Sequence, residues 1–289
     1  MLKTVKYFFQ AIVVYLFFII IKLIGINLSR IFFSFLFNKV GPLIKSDRII
    51  NDNLRKFIGT YNKDDNNKIK FKMWSNYGKI FVEYLFLKKF RKNNSHIKIK
   101  GEDFLHKIRR NNKPVIFVSG HFANFELMSM ELTKRNIKLA TIYRPLNNFF
   151  INPFMEYVRR KYICNNQIKK GLAGVKSSIK YIQNNFSVAL MIDQRVSEGK
   201  KIPFFGHMAL TTTLPAQLAS KYQLDIVPIY ISRNENDNFE MEIFEPIQTS
   251  NQEDSEVNKL NLTIKLNKIM EQMVSKDPGQ WIWTHDRWK

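Results

Sequence analysis

The chain has 289 residues, of which 45% are hydrophobic, and this content argues against a disordered protein because enough apolar surface is present for a folded core. Lysine and arginine total 46 against 24 aspartates and glutamates, so the formal charge of +22 favours anionic partners: nucleic acid, anionic lipid or an acidic protein. The single cysteine, Cys164, excludes a disulfide within the chain, and we expect it to lie in the core.

The chain begins with an apolar stretch, residues 7–21, and its apolar character resumes after Lys22. A stretch of about 15 to 20 residues is short for a full membrane span. Three interpretations stay open: a cleaved signal peptide, which the poor cleavage site disfavours, a spanning helix, and a helix lying in the membrane interface. We expect residues 1–30 to be a membrane-anchoring segment and residues 31–289 to form one domain.

Basic residues are more numerous after this stretch than before it. Lys3 and Lys6 precede it, whereas five follow by residue 48: Lys22, Arg30, Lys39, Lys45 and Arg48. This excess favours a cytoplasmic main domain, where anionic lipids attract the positive chain. The apolar segment 31–37 either forms a hydrophobic hairpin with residues 7–26 or is the first amphipathic helix of the domain.

The rest of the chain alternates between two kinds of pattern. The polar run 61–70 predicts a loop. Helical periodicity predicts helices over residues 73–90, 124–135, 153–162, 175–184, 213–221 and 257–275. Apolar runs predict strands over residues 97–100, 114–119, 138–143, 187–192, 226–232 and 239–244. The alternation indicates an αβα sandwich with a largely parallel sheet, preceded by an N-terminal hydrophobic membrane helix.

The motif with the clearest chemistry is Gly120-His121-Phe122-Ala123-Asn124-Phe125-Glu126, directly after the strand at 114–119. Residues five apart do not share a face of a helix, so His121 and Glu126 meet only if His121 lies on the turn before it. Gly120 permits a tight turn, and Asn124 can cap the helix and help to hold an anion. A carboxylate on one imidazole nitrogen would make the other a general base. A chance His and Glu is the competing interpretation.

Four further clusters are candidates for the site. Two follow predicted strands, where ligands gather in such folds, one is an apolar loop at residues 202–206, and one precedes a predicted helix. Each has a plain structural alternative: a surface arginine, a structural aspartate, core packing or helix capping. The candidate binding residues are Arg144, Asp193, Gln194, Phe204, Phe205, Gly206 and Thr212, together with Asn124 of the motif. Arg144 suits a phosphate, and the two phenylalanines would line an acyl or pantetheine channel.

In this order the motifs resemble the lipid A biosynthesis acyltransferases, the lauroyl and myristoyl transferase family. The matching pieces are GHFANFE at 120–126, YRPLNN at 143–148, DQ at 193–194, IPFFG at 202–206 followed by TTT, QWIWTHDRWK at 280–289, and the Asn-Leu element at 53–54. Glu126 stands where glycerolipid acyltransferases of the wider superfamily usually have Asp, which favours the lipid A branch.

The resemblance implies an acyltransferase domain at residues 31–289 on the cytoplasmic face of the inner membrane. It implies transfer from acyl carrier protein, or coenzyme A, to a hydroxyl of a lipid A precursor, with His121 and Glu126 as the catalytic pair and Arg144 and Asp193 in further functional blocks. Both partners are acidic, as the positive charge of the chain favours. Transfer from a thioester to a hydroxyl needs no metal or other cofactor.

Two alternatives differ in the partner. An acyltransferase for a lysophospholipid or another polar lipid would use the same chemistry. A membrane-tethered nucleic-acid-binding protein predicts basic residues clustered on one face among aromatics. The lysines are instead spread along the chain, so we expect no nucleic-acid partner.

Overall fold

The computed structural model describes residues 2–59, 63–249 and 254–289. Its helices are α1 (Leu2–Ile44), α2 (Asp47–Ile58), α3 (Lys63–Glu83), α4 (Leu87–Lys92), α5 (Glu102–Asn111), α6 (Glu126–Lys134), α7 (Asn152–Val158), α8 (Leu172–Gln183), α9 (Leu214–Tyr222) and α10 (Glu256–Lys276). Short 3-10 turns at Tyr84–Phe86 and Pro278–Gln280 and a π-helical turn at Arg159–Ile163 interrupt this series.

The strands are β1 (Ile97–Lys100), β2 (Ile116–Ser119), β3 (Leu139–Tyr143), β4 (Asn166–Lys169), β5 (Ser187–Met191), β6 (Lys200–Phe204), β7 (His207–Thr211), β8 (Ile226–Arg233) and β9 (Phe239–Ile243). Seven of them form one sheet in the order β1-β9-β8-β2-β5-β3-β4. Every neighbouring pair in this sheet is parallel except β8 with β9.

Two hydrophobic cores cover the two faces of this sheet. Alternate residues of the fully buried central strand β2 enter different cores, because successive side chains of a strand point to opposite faces. Ile116 and Val118 join the core that contains α9 and α10. Phe117 joins the core that contains α6. The predicted αβα sandwich with a largely parallel sheet is thereby confirmed, and Cys164 is buried as expected.

The N-terminal helix α1 doubles back on itself at Gly25, whose φ of 77° and ψ of 174° are not helical. Glycine adopts this conformation without the steric penalty of a Cβ. The two arms, residues 2–24 and 26–44, pack together, with the ring centroids of Phe17 and Phe33 5.3 Å apart. Both rings also contact Phe81 of α3. Of the two interpretations left open for residues 31–37, the structure has the hairpin, and it extends past residue 30 to Ile44.

One side of this N-terminal hairpin presents large apolar side chains to the surroundings. The most exposed are Leu2, Phe9, Leu16, Ile19, Leu23, Leu28, Ile31, Phe35, Leu43 and Ile44. By length and composition, α1 is long and apolar enough to cross a membrane, and only 17% of its most apolar window is buried. These exposed residues therefore form a continuous apolar surface without cover from the rest of the protein.

Two segments that were predicted as loops, residues 202–206 and 61–70, contain regular secondary structure instead. Residues 202–206, predicted as an apolar loop, belong to a β-hairpin of β6 and β7. Its turn is formed by Phe205 and Gly206, with φ values of 49° and 72°. The run 61–70 was predicted as a loop, but α3 begins at Lys63, while residues 61 and 62 lie outside the described residues.

Candidate active site

The candidate site lies at the carboxyl edge of the sheet, where three neighbouring strands end. His121 follows β2, Arg144 follows β3, and Asp193 follows β5. The strand β5 pairs with β2 on one side and with β3 on the other, so these three strand ends are adjacent. The parallel sheet therefore brings together side chains that are far apart in the chain.

The carboxylate that binds the imidazole of His121 is that of Asp193. The Nδ1 atom of His121 lies 2.9 Å from Oδ1 of Asp193, and the backbone N–H of His121 donates to Oδ2 at 3.0 Å. The indole Nε1 of Trp281 also donates to Oδ2, at 2.9 Å. Burial opposes ionisation of this 1% exposed residue, but the charge and hydrogen bonds of His121 outweigh it and lower the pKa of Asp193 to about 2. The charged carboxylate assigns the proton to Nδ1 and leaves Nε2 as the basic nitrogen.

The expected pairing of His121 with Glu126 is corrected by the structure. Oε1 of Glu126 accepts hydrogen bonds from the hydroxyl of Tyr84 at 2.7 Å and from Nε of Arg159 at 2.8 Å. Nη2 of Arg159 lies 2.6 Å from the same oxygen. The turn ends where α6 begins at Glu126, so this carboxylate joins an arginine on the neighbouring π-helical turn instead of the imidazole.

Arg159 is a site residue that the sequence did not single out. It lines the same cavity as His121 and Glu126, and its Nη1 has no hydrogen-bond partner among the described residues. Burial disfavours the charged guanidinium, but the charge and hydrogen bonds of Glu126 reverse the effect and raise the pKa of Arg159. The sequence placed Arg159 at the end of a predicted helix, but only tertiary contacts direct its side chain to the cavity.

The turn that holds His121 adopts a constrained backbone. Ala123 has a φ of 42°, a left-handed conformation that non-glycine residues seldom adopt. Its N–H donates to the carbonyl of Gln280 at 3.0 Å, and its carbonyl accepts from Nδ2 of Asn76 at 3.4 Å. Gly120 is required by close packing, since a Cβ there would lie 2.7 Å from Cε2 of Phe122 and 2.9 Å from Sδ of Met270.

Asn124 belongs to a buried ion cluster instead of capping α6 or lining the cavity. Its Nδ2 donates to Oε2 of Glu83 at 2.9 Å, and the residue is 1% exposed. Nε of Arg30 donates to Oε1 of Glu83 at 2.8 Å, and Nη2 of Arg233 donates to Oε2 at 3.0 Å. The binding role expected for Asn124 is corrected to a structural link, because its amide is committed to Glu83. The cluster joins the N-terminal hairpin, α3, β8 and the turn that holds His121.

A cavity of about 190 Å³ opens in front of His121. Of the residues expected at the site, it is lined by His121, Glu126, Arg144, Gln194 and Thr212. Arg159 and Lys170 add positive charge to its walls. Within the described ranges, no three His, Cys, Asp or Glu side chains converge as they would around a metal ion.

The residues Phe204, Phe205 and Gly206 lie outside the residues that line this cavity. Phe204 is fully buried and packs on the rings of Trp281 and Trp288. Phe205 and Gly206 form the turn of the β6–β7 hairpin, where Phe205 contacts Phe57. The expectation that these residues line a channel is corrected: Phe204 lies in the core, and Phe205 and Gly206 form the turn of the hairpin.

The C-terminal segment 281–289 forms the wall behind the His121–Asp193 pair. In addition to Trp281, it contributes His285, whose Nε2 accepts from the N–H of Arg195 at 2.9 Å. Burial lowers the pKa of His285, so its ring is neutral and able to accept. Nδ2 of Asn53 donates to the carbonyl oxygens of Trp283 and His285, both at 2.8 Å, so this segment is fixed to α2.

Residues 1–289 match the profile of the family described as bacterial lipid A biosynthesis acyltransferase. Lipid A biosynthesis acyltransferase 2 of Shigella flexneri is 26% identical over 187 residues, which are 64% of this chain and 58% of that protein. The crystal structure of a 1-acyl-sn-glycerophosphate acyltransferase from Thermotoga maritima aligns with 89% of this chain and 100% of its own, with a TM-score of 0.41 and 12% identity.

Proposed function

Because the chain belongs to the bacterial lipid A biosynthesis acyltransferases, and is therefore an acyltransferase, we propose that it acylates a hydroxyl of a lipid A precursor from a thioester donor, either acyl carrier protein or acyl-CoA. The observation that carries the proposal is the His121–Asp193 pair at the mouth of a cationic cavity. With a lipid A precursor as the acceptor, the proposed enzyme acts in lipopolysaccharide biosynthesis.

In the proposed reaction, His121 acts as general base through Nε2. The imidazole removes the proton of the acceptor hydroxyl as the oxygen attacks the thioester carbonyl. Asp193 stabilises the imidazolium that forms and keeps its orientation. The tetrahedral intermediate then collapses, the carbon–sulfur bond breaks, and the thiolate takes the proton from His121. An ester and a free thiol are the products, and His121 is neutral again.

The cationic walls of the cavity suit the charges of both substrates. Arg159, held by Glu126, supplies a fixed positive charge beside the reacting carbonyl, whose oxygen becomes negative in the intermediate. Arg144 and Lys170 line the same cavity and are exposed. We assign to these two residues the phosphate groups of the lipid or of the donor, with Gln194 and Thr212 as further hydrogen-bonding groups.

We assign membrane attachment to the N-terminal hairpin, on the cytoplasmic face of the inner membrane. The bend of the hairpin is held against the domain, since Nζ of Lys22 donates to the carbonyl of Leu85 at 2.6 Å and Arg30 binds Glu83. A hairpin fixed in this way supports attachment within one leaflet, through its exposed apolar side, better than a straight span. The excess of basic residues favours the anionic cytoplasmic leaflet.

Replacement of His121 tests the reaction. We expect His121→Ala to lower kcat by at least about 10²-fold, because general-base catalysis contributes about 10²–10⁴. Purified protein in detergent would be assayed with an acyl carrier protein thioester and a lipid A precursor, with the product identified by mass spectrometry. His106→Ala, an exposed histidine on α5, is the matched control and should retain full activity.

Two outcomes contradict the proposal. Full activity of His121→Ala would exclude His121 as the general base. If the wild type acylates a lysophospholipid but does not acylate the lipid A precursor, the acceptor is a lysophospholipid.

A further inference from the structure

A groove of about 790 Å³ lies between the two arms of the N-terminal hairpin. The first arm lines it between Lys6 and Phe17, and the second arm lines it between Leu36 and Ile44, with Lys45 directly after that arm. Trp74, Tyr77 and Phe81 of α3 form its floor. Hydrocarbon and aromatic groups make up almost all of its surface. Water binds poorly in such a space because it finds few hydrogen-bonding partners there.

The position of this hairpin groove points to a lipid chain as its occupant. It is open on the exposed apolar hairpin that we assign to the membrane, where hydrocarbon is the surrounding medium. Lys6 and Lys45 line its end away from Gly25, and both are exposed. An apolar groove with two positive charges at one end complements a fatty acyl chain attached to an anionic head group.

The hairpin groove adjoins the catalytic cavity through the loop after β3. Arg144 at the start of this loop lines the cavity, whereas Asn148 and Ile151 line the groove. Nδ2 of Asn148 donates to the carbonyl of Tyr7 at 2.9 Å, which holds the loop against the first arm near the lysine end. One lipid molecule can therefore place a chain in the groove and its head group at the cavity.

The floor of the groove also contacts the wall of the active site. The ring of Tyr77 lines the groove, and its hydroxyl lies 2.8 Å from Oγ1 of Thr284. Thr284 belongs to the C-terminal segment that includes Trp281, the partner of Asp193. A chain in the groove is thus separated from His121 by protein side chains, which suits a chain that is retained and not the one that is transferred.

We infer that the hairpin groove binds a fatty acyl chain that the lipid acceptor already carries, and so positions its hydroxyl near His121. The inference rests on the proposed function for the identity of the acceptor. Contact between a lipid chain and Trp74 is a separate property, which is measurable without any turnover.

Fluorescence quenching tests occupancy. The full-length protein in detergent micelles would be titrated with phosphatidic acid that has dibrominated acyl chains, since bromine quenches tryptophan on contact. We expect quenching that Trp74→Phe loses, because Trp74 lines the groove whereas Trp281, Trp283 and Trp288 do not. A lipid A precursor should relieve the quenching at a concentration about tenfold lower than the concentration of phosphatidylglycerol that has the same effect. Equal quenching of wild type and Trp74→Phe, or equal competition by phosphatidylglycerol or acyl-CoA, overturns the inference.

Narrowing the groove tests its effect on the reaction. Val13 lines the groove, whereas its neighbour Ile12 is exposed on the same arm and does not line it. We expect Val13→Phe to lower kcat/KM for the lipid A precursor by about tenfold, or about 1.4 kcal/mol, and Ile12→Phe to leave it unchanged. Equal values for the two variants contradict the groove while leaving the proposed function intact. A wild type without transferase activity contradicts the proposed function, and the quenching assay still reports on the groove.

Discussion

At the level of single residues, Asp193 acts on the imidazole of His121 in two ways. It fixes the ring through Nδ1, and it fixes the backbone of the same residue through the N–H of His121. Trp281 holds the second oxygen in turn, so the carboxylate cannot rotate away from the ring without losing a hydrogen bond. Such a carboxylate determines the tautomer of its histidine as well as its position.

Asp193→Asn should therefore abolish most activity while preserving the fold. An amide of the same shape keeps the packing but removes the charge and offers an N–H where an acceptor is needed. We expect kcat to fall by about 10³–10⁴-fold. Steady-state transfer assays would measure this fall, and circular dichroism would verify the fold. A variant that keeps its wild-type kcat would assign the orientation of His121 to another group.

The same carboxylate should make stability depend on acidic pH. Its pKa is about 2 in the folded protein against an ordinary 3.8, so its contribution is present above pH 3.8 and is lost as the pH falls toward 2. The shift corresponds to a contribution of Asp193 to the free energy of unfolding on the order of 2 kcal/mol. Urea unfolding at pH 5 and pH 2.5 should show a larger loss for the wild type than for Asp193→Asn. The exposed Asp103→Asn on α5 is the control and should behave as the wild type.

The sequence led to the edge of the sheet but not to this pair. His121 and Asp193 are 72 residues apart, and the alternation of strands and helices was enough to predict that both follow strands at the same edge of the sheet. Which carboxylate reaches the imidazole depends on the left-handed Ala123 and on Arg159, which takes Glu126. Neither signal is local: a positive φ at alanine contradicts its ordinary preference, and an arginine partner is fixed by the packing of helices.

At the level of elements, α3 connects the N-terminal hairpin with the turn that holds His121. Its last residue, Glu83, is fully buried and binds Arg30 from the hairpin and Arg233 from β8. The same carboxylate holds Asn124 of the turn. The position of the turn therefore depends on a charge that two separate parts of the chain share.

Glu83→Gln should destabilise the whole protein. Removing the carboxylate leaves the buried Arg30 without its counter-ion and leaves Arg233 paired with Asp237, at 3.6 Å. Breaking a buried pair in this way costs about 3–5 kcal/mol. Thermal unfolding in detergent should show a clearly lower Tm. The control is Glu256→Gln, which removes the carboxylate from exposed pairs with Lys200 and Lys259 and should leave the Tm close to that of the wild type. A Tm for Glu83→Gln equal to that of Glu256→Gln would mean that the buried cluster contributes no net stability.

Periodicity predicted most elements, and the exceptions have physical causes. The amphipathic α10 and the buried β2 and β5 bury large apolar sets, so their patterns are strong. The start of α3 is polar because it is a solvent-facing end, stabilised by the acidic Asp64 and Asp65 in its first turn. The strands β6 and β7 were missed because their turn is Phe205-Gly206, whose phenylalanine is not a residue typical of that turn.

For the whole molecule, charge and apolar surface act together. The proposed membrane attachment combines the formal charge of +22, which favours anionic membranes, with the exposed side of the hairpin, which would supply the apolar contact. Charge alone is screened by salt, whereas burial of apolar surface is not. Attachment should therefore depend on the hairpin even at high ionic strength.

Two aspartates on the exposed side of the hairpin should release the protein from membranes. Leu16 and Ile20 lie on the first arm, are exposed and do not line the hairpin groove. Burial of each such side chain contributes about 1.5–3 kcal/mol, so Leu16→Asp with Ile20→Asp should weaken binding by at least about tenfold. Co-sedimentation with phosphatidylethanolamine–phosphatidylglycerol vesicles in high salt would measure it.

The matched control places the same charges on the other part of the molecule. Leu172 on α8 and Val257 on α10 are exposed as well, at 88% and 66%, but lie far along the chain from the hairpin. Leu172→Asp with Val257→Asp should leave vesicle binding unchanged, because these positions do not face the bilayer if the hairpin is the anchor. Equal loss in both double variants would show that net charge governs attachment, and loss only in the control would move the membrane-facing surface to α8 and α10.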